Sequence, residues 1–309
     1  VNKEFLPNPP QHRRLAIYAA YDAAGSVDKA DLYYIRALKE VADNVIYVAD
    51  NGLVAGEAEK LAREVVYIEA ASHGEYDFGS YKRGFEYART HGLLQNIDEL
   101  ILCNDSCYAP VHPLAPMFEK MRQTACDFWG ITENTEFSRH IQSYFMVFRS
   151  QVFNSEIFAA FMSGITRQPD VRSVIGQYEI GLSKILMEKG FVAKSYIKYP
   201  ASGEYPLSLA PAMRNLTAAP LWLMRQGCPF LKKKALWQRE ANIERKPLYA
   251  KIYACRCNKG LKGAMLPSRK IIQEELKRFL FQTKITGSGK RIVKICKIPV
   301  YSREVDKCQ

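Results

Sequence analysis

Two periods of apolar residues alternate along this 309-residue chain. Strand-length runs rich in apolar residues occur at 15–21, 44–49, 65–69, 99–103, 128–132 and 141–148, the last opening on polar positions. Between and after them lie segments with helical spacing, near 28–43, 55–63, 79–91, 114–124, 151–162 and 173–189. In the first of these, Leu32, Ile35, Leu38 and Val41 fall on one face. Continuous rather than alternating apolar runs predict strands covered on both sides, and each parallel pair needs a helical crossover. The pattern therefore predicts an α/β fold with a mostly parallel sheet sandwiched by helices. Beyond Tyr199-Pro200 it breaks into short helical pieces punctuated by Pro and Gly. That change predicts a domain over 1–205 and a mainly helical appendage over 206–309, with no internal repeat.

Charge divides at the same place. Residues 206–309 hold 23 Lys and Arg against 6 Asp and Glu, a net of +17, whereas 1–205 carry a net of −5. A basic end seeks an anionic surface such as nucleic acid, lipid headgroups or a phosphorylated carrier. Lys232-Lys233-Lys234 between Leu221-Trp222-Leu223-Met224 and Leu236-Trp237 suits a membrane surface, as do Lys277 and Arg278 within the apolar stretch 271–281; for 206–235 the alternative is that the apolar groups pack against the body and the lysines are only a solvated face. The tail carries no recognised nucleic-acid motif, so no nucleic-acid partner is expected. No apolar run approaches the roughly 20 residues of a span, and the start lacks signal-peptide character. The expected location is cytoplasmic, peripheral to the inner membrane face. Eight scattered cysteines show no C-x₂-C pairing, which points away from a zinc site.

The most informative stretch is Asp98-Glu99-Leu100-Ile101-Leu102-Cys103-Asn104-Asp105-Ser106. A strand here delivers Asp105 onto the loop at its end, where α/β folds keep their chemistry. The carboxylate suits either a divalent cation bridging a diphosphate or an ordinary polar turn. Gly74-Glu75-Tyr76-Asp77-Phe78-Gly79-Ser80 precedes a helix, whose free amides point at the loop. Gly79 would let a ligand approach, and Asp77 could bind a base or ribose; the plainer reading makes Asp77 or Ser80 an N-cap. If His140-Ile141-Gln142-Ser143-Tyr144 is a strand, His140, Gln142 and Tyr144 share a face suited to sugar hydroxyls, or simply form a polar strand end. Glu179 could act as a general base, or as a first-turn carboxylate complementing its helix dipole.

These segments, together with Pro113-Leu114, Cys126-Asp127-Phe128-Trp129-Gly130-Ile131-Thr132, Tyr178-Glu179-Ile180-Gly181-Leu182 and Gly227-Cys228-Pro229-Phe230-Leu231-Lys232-Lys233, stand in an order that resembles the rhamnan synthesis protein F family. The likeness covers about 15–235. Members are bacterial glycosyltransferases of surface-polysaccharide assembly, including rhamnosyl and, in related O-antigen enzymes, galactofuranosyl transferases. The resemblance implies a GT-A-like, Rossmann-type nucleotide-diphosphosugar transferase sheet. Asn104-Asp105-Ser106 stands where an Asp-x-Asp metal motif is usual, with one carboxylate in place of two, which implies a divalent cation (Mn or Mg) on Asp105. It also implies Glu179 as base, Tyr21, Asp22, Asp77, Gly79, Ser80, Asn104 and Asp105 around the donor, and His140, Gln142, Ser143 and Tyr144 around the acceptor sugar. The expected reaction is inverting transfer of rhamnose or galactofuranose from a nucleotide diphosphosugar to a lipid-linked glycan. The competing expectation is a non-catalytic glycan-binding or scaffolding subunit.

Overall fold

The computed structural model describes residues 12–198 and 215–234, with the backbone of 281–285, 290–295 and 298–304. In chain order its elements begin β1 (Arg14–Ala20), α1 (Lys29–Leu38), β2 (Asn44–Ala49), α2 (Glu57–Leu61), β3 (Tyr67–Ala70), α3 (Tyr76–Thr90), β4 (Glu99–Asn104), β5 (Cys107–Tyr108) and α4 (Ala115–Arg122). They continue through β6 (Phe128–Gly130), β7 (Glu133–Asn134), β8 (His140–Ile141), β9 (Phe145–Arg149), α5 (Ser150–Phe153), α6 (Glu156–Ser163) and α7 (Val171–Val174). A π-helical segment (Ile175–Ile180) then leads into α8 (Gly181–Glu188), followed by β10 (Ala193–Ser195), α9 (Pro220–Arg225) and β11 (Leu231–Lys232).

Seven strands form the central sheet in the order β10-β6-β9-β4-β1-β2-β3. All neighbours run parallel except β9, which is antiparallel to both β4 and β6. This is the mainly parallel sheet that the apolar runs and the resemblance predict. Both of its faces are buried. Along β1, Ala16, Tyr18 and Ala20 join one core with Tyr34, Tyr47, Trp129 and Phe145, while Leu15, Ile17 and Ala19 join the other with Phe78, Phe85, Phe148 and Phe158. The period of two therefore carries apolar groups on both sides, which is why the strand reads as an unbroken run.

The chain winds outward from β1 through β2 to β3, then returns to lay β4 on the other side of β1. Strand order reverses between β1 and β4, and the carboxyl ends of these two strands form the switch point at which such sheets place their ligand crevice.

Two expectations are corrected here. The strand expected over 141–148 is broken: β8 pairs with β7 in a separate ribbon, 142–144 form a turn, and β9 resumes in the main sheet. The appendage is not uniformly helical, because β12 (Phe281–Ile285), β13 (Lys290–Ile295) and β14 (Ile298–Glu304) form an antiparallel three-stranded sheet. The chain divides into one compact unit over 1–261 and another over 262–309. The expected 205/206 boundary and the apolar stretch 271–280 lie outside the described residues, as do Leu236 and Trp237.

Residues 215–234 belong to the core of the first unit. Leu223 and Met224, expected at a membrane surface, are buried, and Phe230 packs 4.7 Å from the Phe145 ring and 5.7 Å from Tyr34. β11 pairs antiparallel with β5, setting Lys232 opposite Cys107. The segment that follows Cys228 is thereby carried to the loop that bears Asp105.

Candidate active site

At the crevice, Asp105 Oδ2 accepts the Tyr21 backbone N–H at 3.0 Å, so the carboxylate ties the β4 loop to the β1 loop. Tyr21 itself is 60% exposed. Asp22 shapes the same loop: its carboxylate accepts Ala24 N–H at 2.6 Å, while its own N–H donates to Asn51 Oδ1 at 2.9 Å. Beside them, buried Asn104 donates to Asp77 Oδ2 at 2.7 Å, and its side-chain oxygen accepts from both Ser106 N–H (3.1 Å) and Ser106 Oγ (2.5 Å). Asn104 therefore orients Asp77 and Ser106 from beneath and does not itself face a ligand.

Burial raises two of these carboxyls. Asp77 is pushed up to about 6 by burial, with the Lys232 ammonium pulling down and the Glu179 charge adding to the rise. Asp105 also reaches about 6, through burial and then the Asp77 charge, with Lys233 and the Tyr21 amide opposing.

Glu179 lies in the π-helical segment, not in a first turn as expected. Such segments are rare and recur at functional sites. Its Oε2 accepts Ser143 N–H at 2.7 Å and a short bond from Ser143 Oγ, and its Oε1 lies 3.2 Å from His140 Nε2. His140 Nε2 makes no aligned hydrogen bond to it, so the contact is an ion pair when the imidazole is protonated. Burial alone would raise the Glu179 carboxyl, but His140 and Ser143 outweigh it and the group is lowered. His140 moves the opposite way: burial opposes its charge, yet Glu179 and the Ser138 carbonyl raise it. The Glu179 side chain remains 13% exposed, which leaves an ionised carboxylate open to a small approach.

The acceptor face expected from alternation does not form, because residues 142–144 turn. Gln142 is buried and accepts from Thr132 Oγ1 at 2.7 Å; the Tyr144 hydroxyl is buried against the same Thr132 oxygen at 2.7 Å. His140 is 2% exposed. Of the four, His140 and Ser143 hold Glu179, while Gln142 and Tyr144 are core.

The donor loop is corrected in part. A Cβ on Gly79 would collide with Glu75 Cβ and come within 2.8 Å of the His73 ring, so the missing side chain makes room for the loop's own residues rather than for a ligand. Ser80 is buried and pairs with His73 Nε2 at 3.1 Å. The loop is instead fastened by Asp50, which accepts from the N–H groups of His73 (2.6 Å), Gly74 (2.7 Å) and Tyr76 (3.3 Å). Asp50 follows the apolar run of β2 just as Asp105 follows β4, so the same reading could have found it. Asp127, in contrast, sits at the opposite end of the sheet, bonded to Val192 N–H at 2.7 Å.

The lysines were expected at a membrane. Lys232 Nζ donates to Ser106 Oγ at 2.9 Å and sits 4.4 Å from the Tyr144 ring centre. Lys233 Nζ lies 3.4 Å from Asp31 Oδ1, and its backbone N–H donates to the Ser106 carbonyl at 2.9 Å. Lys234 is exposed. These placements test the cation expected on Asp105. Its Oδ2 already takes the Tyr21 amide, and both ammoniums bear on it. A hard dication needs oxygen ligands and is repelled by neighbouring ammonium charge. Asp105 thus feels two ammoniums as well as the Asp77 carboxyl, so a dication there would compete with Lys232 and Lys233 for its charge.

A family profile described as "Rhamnan synthesis protein F" matches residues 45–256. Among curated proteins, the chain is similar to "Virulence protein VirA" of Vibrio anguillarum, 27% identical over 251 residues, covering 72% of this chain and 79% of that protein. Among solved structures it is similar to the glycosyltransferase GlyE of Streptococcus pneumoniae TIGR4, with 8% identity, 81% of this chain and 62% of that one covered, and a TM-score of 0.44. It is also similar to core-mannan synthase A of Aspergillus fumigatus in its Mn/GDP form, with 9% identity, 48% and 63% covered, and a TM-score of 0.29.

Proposed function

The chain belongs to the rhamnan synthesis protein F family, and from that premise we propose that it is an inverting Leloir glycosyltransferase of surface-polysaccharide assembly. The donor is a nucleotide diphosphosugar of the rhamnose or galactofuranose class, and the acceptor a hydroxyl of a lipid-linked glycan. The observation that carries the reading is Glu179, held ionised by His140 and Ser143 on a π-helical segment of a chain from a glycosyltransferase family.

In the proposed reaction the donor lies in the crevice between the β1 and β4 loops. Tyr21, Asp22 and Asp77 surround its nucleotide part, with the Tyr21 amide fixed by Asp105. The acceptor oxygen bonds to the anomeric carbon from the face opposite the nucleotide, while the carbon–phosphate-oxygen bond breaks and its electron pair leaves with the diphosphate. Glu179 takes the acceptor proton. Positioning of the two substrates and charge stabilisation supply most of the rate in such a displacement.

The test is Glu179→Gln, which keeps shape and helix compatibility. Turnover is expected to fall by about 10²-fold or more, the scale of a lost general base, with donor affinity near that of the parent chain. Asp77→Asn serves as the comparison. Unchanged turnover in Glu179→Gln alongside a large loss in Asp77→Asn would move the base to Asp77. Absence of both transfer and slow donor hydrolysis in the parent chain would favour a glycan-binding subunit.

A further inference from the structure

Lys232 is a half-buried cation with no carboxylate in direct salt-bridge contact among the described residues. Its ammonium donates to Ser106 Oγ and rests over the Tyr144 ring, and it forms no salt bridge among the described residues. An ammonium has three donors, and a hydroxyl with a ring face leaves part of that capacity unused. Taking a cation partly out of water without an opposite charge is costly. Its neighbour on the same strand, Lys233, shares the carboxylate of Asp31 and lies 5.6 Å from the Tyr108 ring centre. The charges of both act on Asp105, and that of Lys232 on Asp77 as well.

What anion fits is decided by place. The two ammoniums flank the β4 loop at the switch-point crevice, on a strand register that pairing with β5 holds fixed. A diphosphate offers several oxygens to two point-charge donors at once, which a single carboxylate does not. The charge that a metal would neutralise at this place has two ammoniums beside it on this chain.

We propose that the ammonium groups of Lys232 and Lys233 bind the diphosphate of the nucleotide sugar and take up the charge left on it at transfer, in place of a divalent cation. The proposal rests on the glycosyltransferase reading above. Lys232 gives the cleaner test, since its removal strands no ion-pair partner, while removal of Lys233 leaves Asp31 without its cation.

The experiment is calorimetric titration of the full chain with UDP, dTDP and GDP, each in EDTA and in Mn²⁺, for the parent chain and for Lys232→Met, Lys232→Arg, Lys233→Met and the exposed control Lys234→Met. Melting curves recorded on every variant show which are folded. At least one nucleotide is expected to bind equally well in EDTA. Lys232→Met is expected to weaken it about tenfold or more, the scale of one charge-assisted bond. Lys232→Arg should recover most of the loss, and Lys234→Met should match the parent. If Lys232→Met does not fold, the Lys232→Arg and Lys233→Met pair carries the test in the same way. Parent-like binding by folded lysine variants, or binding abolished by EDTA, overturns the lysine proposal and leaves the transferase reading standing. A parent chain that binds none of the three nucleotides in either buffer overturns both.

Discussion

Asp31 shows what this site does to charge. It is 6% exposed, accepts the Tyr18 hydroxyl at 3.0 Å, and is pushed up to about 6 by burial despite the Lys233 ammonium. A carboxyl moved from 3.8 to about 6 corresponds to roughly 3 kcal/mol. The sign follows from linkage: the folded state holds the proton more tightly than the unfolded chain, so this group favours folding below about pH 4 and that contribution is lost between pH 4 and 6. Asp31→Asn removes the ionisation. Its melting temperature relative to the parent is expected to rise between pH 4.5 and pH 7.5, as read by thermal denaturation at both. A flat or falling difference would contradict the raised carboxyl. Residues of this kind were only partly legible. Asp105 and Asp50 announce themselves by following an apolar run, but Asp31 sits in a helix that its sequence marks as ordinary, and its burial depends on a lysine 202 positions away.

At the scale of elements, α3 is pressed against β1 through Gly84. Alanine in a helix interior is favoured over glycine by about 1 kcal/mol, but a Cβ at Gly84 would lie 2.5 Å from Ile17 Cγ2. Ile17 is fully buried between neighbouring strands and has no room to step aside. Overpacking of this kind costs about 1–3 kcal/mol, so the steric term wins. Gly84→Ala is expected to lower the melting temperature by a few degrees; an increase would show that helix propensity prevails. Elements of strong period were readable because burial on two faces leaves an unbroken apolar signature. The π-helical segment was not. Ile175–Ile180 has the composition of any helix, and the widened turn that brings Glu179 to His140 and Ser143 is a property of backbone bonds with no marker in residue type. The turn at 142–144 was missed for a related reason, since the acceptor for the Ser143 amide is Glu179, 36 residues on.

For the whole molecule, charge asymmetry is the property that outlasts the details of packing. Among the described residues no helix is long and apolar enough to cross a membrane. The net charge of 206–309 would support attachment to an anionic surface at about 1 kcal/mol per nearby basic residue, which makes attachment a prediction to test. Flotation of the full chain with anionic vesicles is expected at low salt, to be lost at high salt, and to weaken in Lys277→Glu/Arg278→Glu. Lys232→Met should leave it unaffected, because that lysine faces the crevice. Flotation indifferent to salt and lipid charge would remove the membrane from the scheme.

By itself the sequence determined the layered α/β sheet and the strand that carries Asp105 to its loop. Each of these is encoded by local period or by a residue type at a strand or helix position. The use of the Lys232-Lys233-Lys234 run was decided only in three dimensions. As a string it is a basic patch beside apolar residues and fits a headgroup surface. Once Phe230 is buried against Phe145 and β11 is paired with β5, two of the three ammoniums are turned toward the Asp105 loop and the third toward solvent. The physical reason is that charge acts through space over a few ångströms, and the pairing that brings residues 232 and 106 within 2.9 Å is set by core packing that no local pattern records.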